Sequence, residues 1–169
     1  MSPQQIDDIL EVLNRYQVRY ILIGGVNFLL NHKPLLTFDL DIWVEDNLDN
    51  LKLLNSALQE INAEWGKTDD TWGPISLTAD WLTKQSVFCL LTKFGPLDVF
   101  REVRGLEGRF KECFAAANAS AKTPGEVSYV SLSDRHMLEC QLALDYKDQS
   151  KDKIDILNES IKKNSNKSP

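Results

Sequence analysis

Asp39 and Asp41 stand one residue apart within an apolar run, and Asp98 sits alone in another, Leu97-Asp98-Val99-Phe100. Residues two apart on a strand project to one face, so the spacing predicts that Asp39 and Asp41 point together while Phe38, Leu40 and Ile42 point into the core. Neighbouring carboxylates repel unless a cation lies between them. Asp98 needs a partner for a related reason, because an unpaired charge among apolar neighbours is costly. A divalent cation shared by the three aspartates satisfies both demands. Thirteen residues separate Asp39 from Gly24-Gly25, which ends an earlier apolar run. Such a turn lets the backbone approach phosphate, and the first amides of a following helix face negative charge. Mg²⁺ or Mn²⁺ on the aspartates with a triphosphate at the turn is an arrangement for phosphoryl transfer. Gly-Gly alone usually marks a tight turn, and Asp-x-Asp alone a solvated strand face. Their order and context carry the reading.

Several elements must position these residues. Ser2 caps a helix from Pro3 to Tyr16, with Ile6, Ile9, Leu10 and Leu13 at helical spacing. Val18 to Ile23 reads as a strand, and the glycine pair leads to a brief helix ending before Pro34. Phe38 to Val44 is the next strand, and Asn47 caps a helix bearing Leu48, Leu51, Leu54, Leu58 and Ile61. From Trp65 to Lys84 no period is sustained, which predicts a loop with a short irregular strand. Gln85 to Lys93 and Leu97 to Phe100 form a hairpin around Phe94-Gly95-Pro96. A helix over Arg104 to Asn118 and a strand over Glu126 to Val130 follow. Ser131 or Ser133 then caps a helix to about Lys147, and a last helix runs from about Ser150 to Lys163. The predicted fold is α/β (α+β): a small mixed sheet carrying the aspartates on one face, flanked by helices, with two C-terminal helices closing a cleft. Residues 1–130 form the core, 131–163 a helical segment packed on it, and 164–169 a flexible polar tail.

The 169 residues, 43% hydrophobic and 26% charged, suit one globular domain. With 25 acidic against 19 basic side chains, the net charge of −6 argues against strong general DNA binding. Cys89, Cys113 and Cys140 are far apart and form no Cys-x-x-Cys pair, which predicts buried thiols in a reducing compartment. No uncharged apolar run approaches the roughly 20 residues of a membrane span. A cytoplasmic protein is expected.

Ile21-Leu22-Ile23-Gly24-Gly25, Thr37-Phe38-Asp39-Leu40-Asp41-Ile42 and Pro96-Leu97-Asp98-Val99-Phe100 together resemble the nucleotidyltransferase superfamily related to DNA polymerase β. The resemblance covers about the first hundred residues. Thr37 and the ending Lys151-Asp152-Lys153-Ile154-Asp155-Ile156-Leu157 are similar to small bacterial nucleotidyltransferases of the abortive-infection-toxin type. The resemblance implies Asp39, Asp41 and Asp98 as metal-binding and catalytic residues, with Gly24, Gly25 and Thr37 at the nucleotide. It also implies an NTP substrate, ATP included, Mg²⁺ or Mn²⁺ as cofactor, a tRNA end or a protein as acceptor, and a cognate antitoxin as partner. The chain departs from those toxins at Leu35, where an Arg is common, and at Leu144 and Gln149, where a Lys and an Arg are usual. Lys147 and Lys151 are the candidates to substitute.

Lys33 lies between the glycine turn and Asp39 and is placed to reach phosphate, against the commoner reading of a solvated loop lysine. His32 and His136, the two histidines, are too far apart in sequence for a histidine metal site, and His32 suits a surface or turn position. Trp72 and Trp81 fit better as anchors of the irregular segment than as base-stacking residues. The expected function is metal-dependent transfer of a nucleoside monophosphate from an NTP to a hydroxyl on RNA, a protein or a small molecule. The alternative is a non-catalytic nucleotide-sensing or partner-binding module on the same fold, and a blander third reading is a helix-rich partner protein with a solvated acidic face.

Overall fold

A computed structural model describes residues 1–167. Helix α1 (Pro3–Arg15) begins at a reciprocal cap: the Gln5 N–H donates to Ser2 Oγ at 3.2 Å and the Ser2 N–H to Gln5 Oε1 at 2.8 Å. This satisfies two amides that a helix start otherwise leaves unpaired. Strand β1 (Tyr20–Ile23) turns directly into α2 (Gly24–Asn31), followed by β2 (Leu40–Val44) and α3 (Leu48–Glu60). Asn47 caps α3 by accepting from the Asn50 N–H at 2.9 Å. The short strands β3 (Glu64–Trp65) and β4 (Gly73–Pro74) precede the hairpin β5 (Val87–Thr92) and β6 (Gly95–Phe100). Helix α4 (Phe110–Ala116), strands β7 (Asn118–Lys122) and β8 (Ser128–Ser131), and helices α5 (Asp134–Leu142) and α6 (Lys151–Ser165) complete the chain.

One mixed sheet of eight strands runs in the order β4-β3-β5-β6-β2-β1-β8-β7. At its centre β2 is antiparallel to β1 and parallel to β6. The pleat sorts alternate residues onto two faces. Leu22, Leu40, Ile42, Leu97 and Val99 join Leu10 and Leu13 of α1 and Leu54 and Leu58 of α3 in the larger core. Burial of each such side chain contributes about 1.5–3 kcal/mol before the entropy of ordering is subtracted. Ile21, Ile23 and Trp43 face the other way, into a smaller cluster with Cys113 of α4, Met137 of α5 and Leu157 of α6.

The mixed sheet agrees with the expected class, but several boundaries differ. Strand β2 starts at Leu40, and Phe38 is 71% exposed rather than in the core. The neighbouring ladders explain this: β1 ends opposite Asp41, where Gly24 turns into α2, and the β6 pairing begins at Leu40. Residues 38 and 39 have no strand beside them on the β1 side, and on the β6 side the ladder starts only at Leu40 although β6 itself begins at Gly95. The expected helix over Arg104 to Asn118 is confined to α4, after two glycines with positive φ, Gly105 and Gly108, which no regular helix contains. Strand β7, unexpected from Asn118-Ala119-Ser120-Ala121-Lys122, forms by pairing with β8. Helix α5 stops at Leu142, short of Lys147, and a single 3₁₀ turn covers Tyr146–Asp148. Helix α6 continues to Ser165, into the expected tail, of which Ser168 and Pro169 lie outside the described residues. Cys113 is buried and Cys140 half-buried, whereas Cys89 is exposed. Among the described residues, no helix is long and apolar enough to cross a membrane.

Candidate active site

Asp41 lies on β2, and across the parallel ladder its partner on β6 is Asp98. Asp39 occupies the bend just before β2. One oxygen from each of the three carboxylates lies within 4.8 Å of the other two. Among the described residues, none of the three is in an ion pair with Lys, Arg or His. The negative charge is therefore concentrated without a bonded counter-charge. Burial first, then the charges of Asp39 and Asp98, push the Asp41 carboxyl up to about 7, opposed by the Gly25 N–H and the Lys153 ammonium. Asp98 is also raised, by burial and by Asp39, against a hydrogen bond from the Cys89 thiol. That thiol belongs to the residue facing Asp98 on β5, and partial desolvation beside the sheet with the nearby carboxylate charge pushes it up to about 11. Three converging carboxylates are hard oxygen donors of the kind that hold Mg²⁺ or Mn²⁺, and their unrelieved repulsion fits a cation between them.

The glycine turn is shaped around Asp41. Gly24 has a φ of +69°, and a Cβ there would lie 2.1 Å from Asp41 Oδ2, so a side chain is excluded both by backbone strain and by the carboxylate. The Gly25 amide donates to Asp41, and a Cβ on Gly25 would stand 3.0 Å from Thr37 Oγ1. Thr37 Oγ1 donates to the Asp39 carbonyl at 3.2 Å, bracing the bend that carries the first aspartate. Asp39, Asp41, Asp98, Gly24, Gly25 and Thr37 are thus brought to one place.

The lysines distribute differently. Lys33 is ion-paired with Asp152 of α6. Lys147 is exposed in the turn after α5, and Lys151 is exposed at the first position of α6. Lys153 instead lines a cavity of about 280 Å³ that opens beside Asp41 and Gly24, and its ammonium lies 5.5 Å from the centre of the Phe28 ring. The sequence carried a signal for this: Lys153, Ile156, Leu157 and Ser160 share one face of a helix by their i, i+3, i+4, i+7 spacing, and Leu157 is an evident core residue. Cys89 carried none, because contact with Asp98 depends on the hairpin register.

His32 occupies the turn that ends α2, one of the two positions expected for it, rather than the open surface. At the end of α2 its ring is 10% exposed, with Nε2 at 2.8 Å from Asp134 Oδ1, while the Ser160 hydroxyl donates to Asp134 Oδ2 at 2.5 Å. The chain His32–Asp134–Ser160 ties α2 to α5 and α6. His136 is buried, its Nδ1 2.9 Å from Ser133 Oγ. Trp81 is buried, and Trp72 is 43% exposed.

No protein-family model and no curated protein sequence matches the chain. A solved structure does: that of a Thermotoga maritima protein for which nucleotidyltransferase activity has been proposed. It aligns over 96% of this chain and 91% of its own with a TM-score of 0.50 at 13% sequence identity. At that identity the likeness shows a shared nucleotidyltransferase-like fold.

Proposed function

We propose that the protein transfers a nucleoside monophosphate from a nucleoside triphosphate to a hydroxyl acceptor. The supporting observation is the convergence of Asp39, Asp41 and Asp98 within 4.8 Å, directly against the Gly24-Gly25 turn. Mg²⁺ or Mn²⁺ held by these three residues supplies the charge that neutralises the triphosphate and favours in-line displacement. The start of α2 offers its amides to phosphate oxygens, and Lys153 adds a positive charge beside Asp41. Asp98, whose carboxyl is held above the usual range by burial, is the residue to accept the proton of the attacking hydroxyl. A bond forms from that oxygen to the α-phosphorus, and the bond to the bridging oxygen of the departing pyrophosphate breaks.

The resemblance to toxin-type enzymes favours a tRNA end or a protein as acceptor and a cognate antitoxin as partner. Incubation with the four α-labelled NTPs, Mg²⁺ or Mn²⁺, total RNA and protein extract tests the reading. Label should appear on one acceptor class and be absent with Asp41→Asn. Nucleotide binding without label transfer would support a non-catalytic sensing or binding module instead. Two observations favour that second reading: Lys33 is engaged by Asp152, and Leu35, at a position where toxin-type enzymes commonly carry Arg, packs against the smaller core.

A further inference from the structure

The cavity beside Asp41 has apolar walls and a set of hydrogen-bond donors. Phe28, Val103, Leu132, Met137 and Leu157 supply the walls. Its volume of about 280 Å³ falls just below the range of ligand pockets, about 300 to 1,000 Å³. That is room for one flat group, with the triphosphate outside it on the aspartate side.

Arg104, Gln141 and Lys153 also line the cavity and carry its strongest donors. Gln141 Oε1 accepts from the Ser150 N–H at 3.1 Å, which fixes the amide orientation and leaves Nε2, a donor, as the group it can offer. Arg104 gives one nitrogen to Asp145 at 3.1 Å and keeps its other N–H groups, and neither Arg nor Lys can accept. Nearby carbonyls already have donors: Leu132 O takes the Asn27 amide at 3.2 Å, Gln141 O the Leu144 N–H at 3.2 Å, and Leu144 O the Gln149 amide at 3.0 Å. Beyond the weakly accepting sulfurs of Met137 and Cys140 and the second lone pair of Gln141 Oε1, the side-chain acceptor of the lining is the Asp41 carboxylate, which belongs to the phosphate end.

Building on the proposed transfer reaction, we infer that this cavity seats the base of the nucleotide and selects bases whose edges carry carbonyl oxygens, uracil and guanine, over adenine. Carbonyl oxygens meet the Gln141, Arg104 and Lys153 donors. The adenine amino group meets mostly donors and is disfavoured, by less than in a fully buried site because the Arg104 side chain is 61% exposed. Guanine can turn its O6/N7 edge, which carries acceptors only, to these donors with its amino group outside, whereas cytosine presents an amino group on the corresponding edge and falls between.

Calorimetric titration of the protein in Mg²⁺ with UTP, GTP, CTP, ATP and inorganic tripolyphosphate tests this. UTP and GTP should bind about tenfold or more tightly than ATP, with ATP close to tripolyphosphate. Gln141→Glu keeps an oxygen for the Ser150 N–H but replaces the donor with an acceptor, and should shrink the ratio of UTP to ATP affinity about tenfold. Leu144→Trp, at the half-buried mouth, should bring every NTP to the level of tripolyphosphate while tripolyphosphate itself binds as before, which also shows that the variant is folded. Equal binding of all NTPs and tripolyphosphate by the wild type would overturn the base cavity while leaving the triphosphate site standing. ATP binding tightest, or a ratio unmoved in Gln141→Glu, would overturn the donor argument. Failure of all five ligands to bind would end this inference together with the transfer reaction.

Discussion

The two faces of the central sheet are made by the same strands and could hardly differ more in chemistry. On one, Leu22, Leu40, Ile42, Leu97 and Val99 meet α1 and α3 in the larger core. On the other, the alternate residues of those strands include Ile23, Asp41, Trp43, Asp98 and Phe100, and only part of that face is covered by α4, α5 and α6. The first face derives stability from excluding water. The second places like charges together, which opposes folding unless a cation or ligand is present. One pleat therefore separates a stabilising surface from a surface kept for chemistry, and substitutions on the two should respond oppositely in stability and in activity.

The largest expected effect is on transfer. Asp41→Asn should reduce nucleotide transfer to background while leaving the metal-free melting temperature unchanged or slightly higher, because it removes a repelled charge. A marked fall in melting temperature would identify a structural carboxylate, whose loss typically costs about 3–5 kcal/mol. On the opposite face, Leu54→Ala empties part of a fully buried site and should cost about 2–5 kcal/mol in denaturant unfolding. Transfer per folded molecule should be retained, and its loss would show that the faces are coupled.

A smaller, pH-dependent effect belongs to the acidic face alone. The native Asp41 carboxyl keeps its proton up to about pH 7, whereas the unfolded one releases it near 3.8. Between those values the native state binds more protons, so the metal-free protein should lose stability as pH rises from about 4 to about 7, by on the order of 4 kcal/mol. Mg²⁺ affinity should strengthen over the same interval. Thermal melts across this range should show the slope in the wild type and its absence in Asp41→Asn; an equal slope in both would place the titrating group elsewhere.

Gly25→Val should weaken NTP binding with helix content intact by circular dichroism, since the added side chain crowds Thr37 where the bend carrying Asp39 is braced. Unchanged affinity would make the turn purely structural. The smallest expected change is in Lys33→Ala. Both members of its pair with Asp152 are substantially exposed, so stability should shift by only about 0.2–1 kcal/mol. A large loss of NTP affinity in this variant would assign Lys33 to the phosphates.

Much of the site was legible because it is encoded locally. The Asp-x-Asp spacing, the apolar alternation around it, the Gly-Gly turn and the caps at Ser2 and Asn47 are short-range patterns with direct backbone consequences. Phe38 reads as a core residue because its periodicity continues that of β2, but β1 ends opposite Asp41 and the ladder to β6 begins only at Leu40. The 104–118 segment looked helical by composition, yet Gly105 adopts a φ of +90° where its backbone runs close to Ala143.

The sequence by itself determined which residues carry charge, which face of a strand or helix each one shares, and where the chain must turn, because these follow from periods of two and 3.6 and from glycine's freedom. Only the tertiary structure decided that Asp98, 57 residues beyond Asp41, stands opposite it across a parallel ladder, and that Lys153 rather than Lys147 or Lys151 lines the cavity. Register between distant strands and the docking of a helix are set by packing the whole core at once, and a shift of one residue along β6 would have turned Asp98 into the apolar core and left the metal site without its third carboxylate.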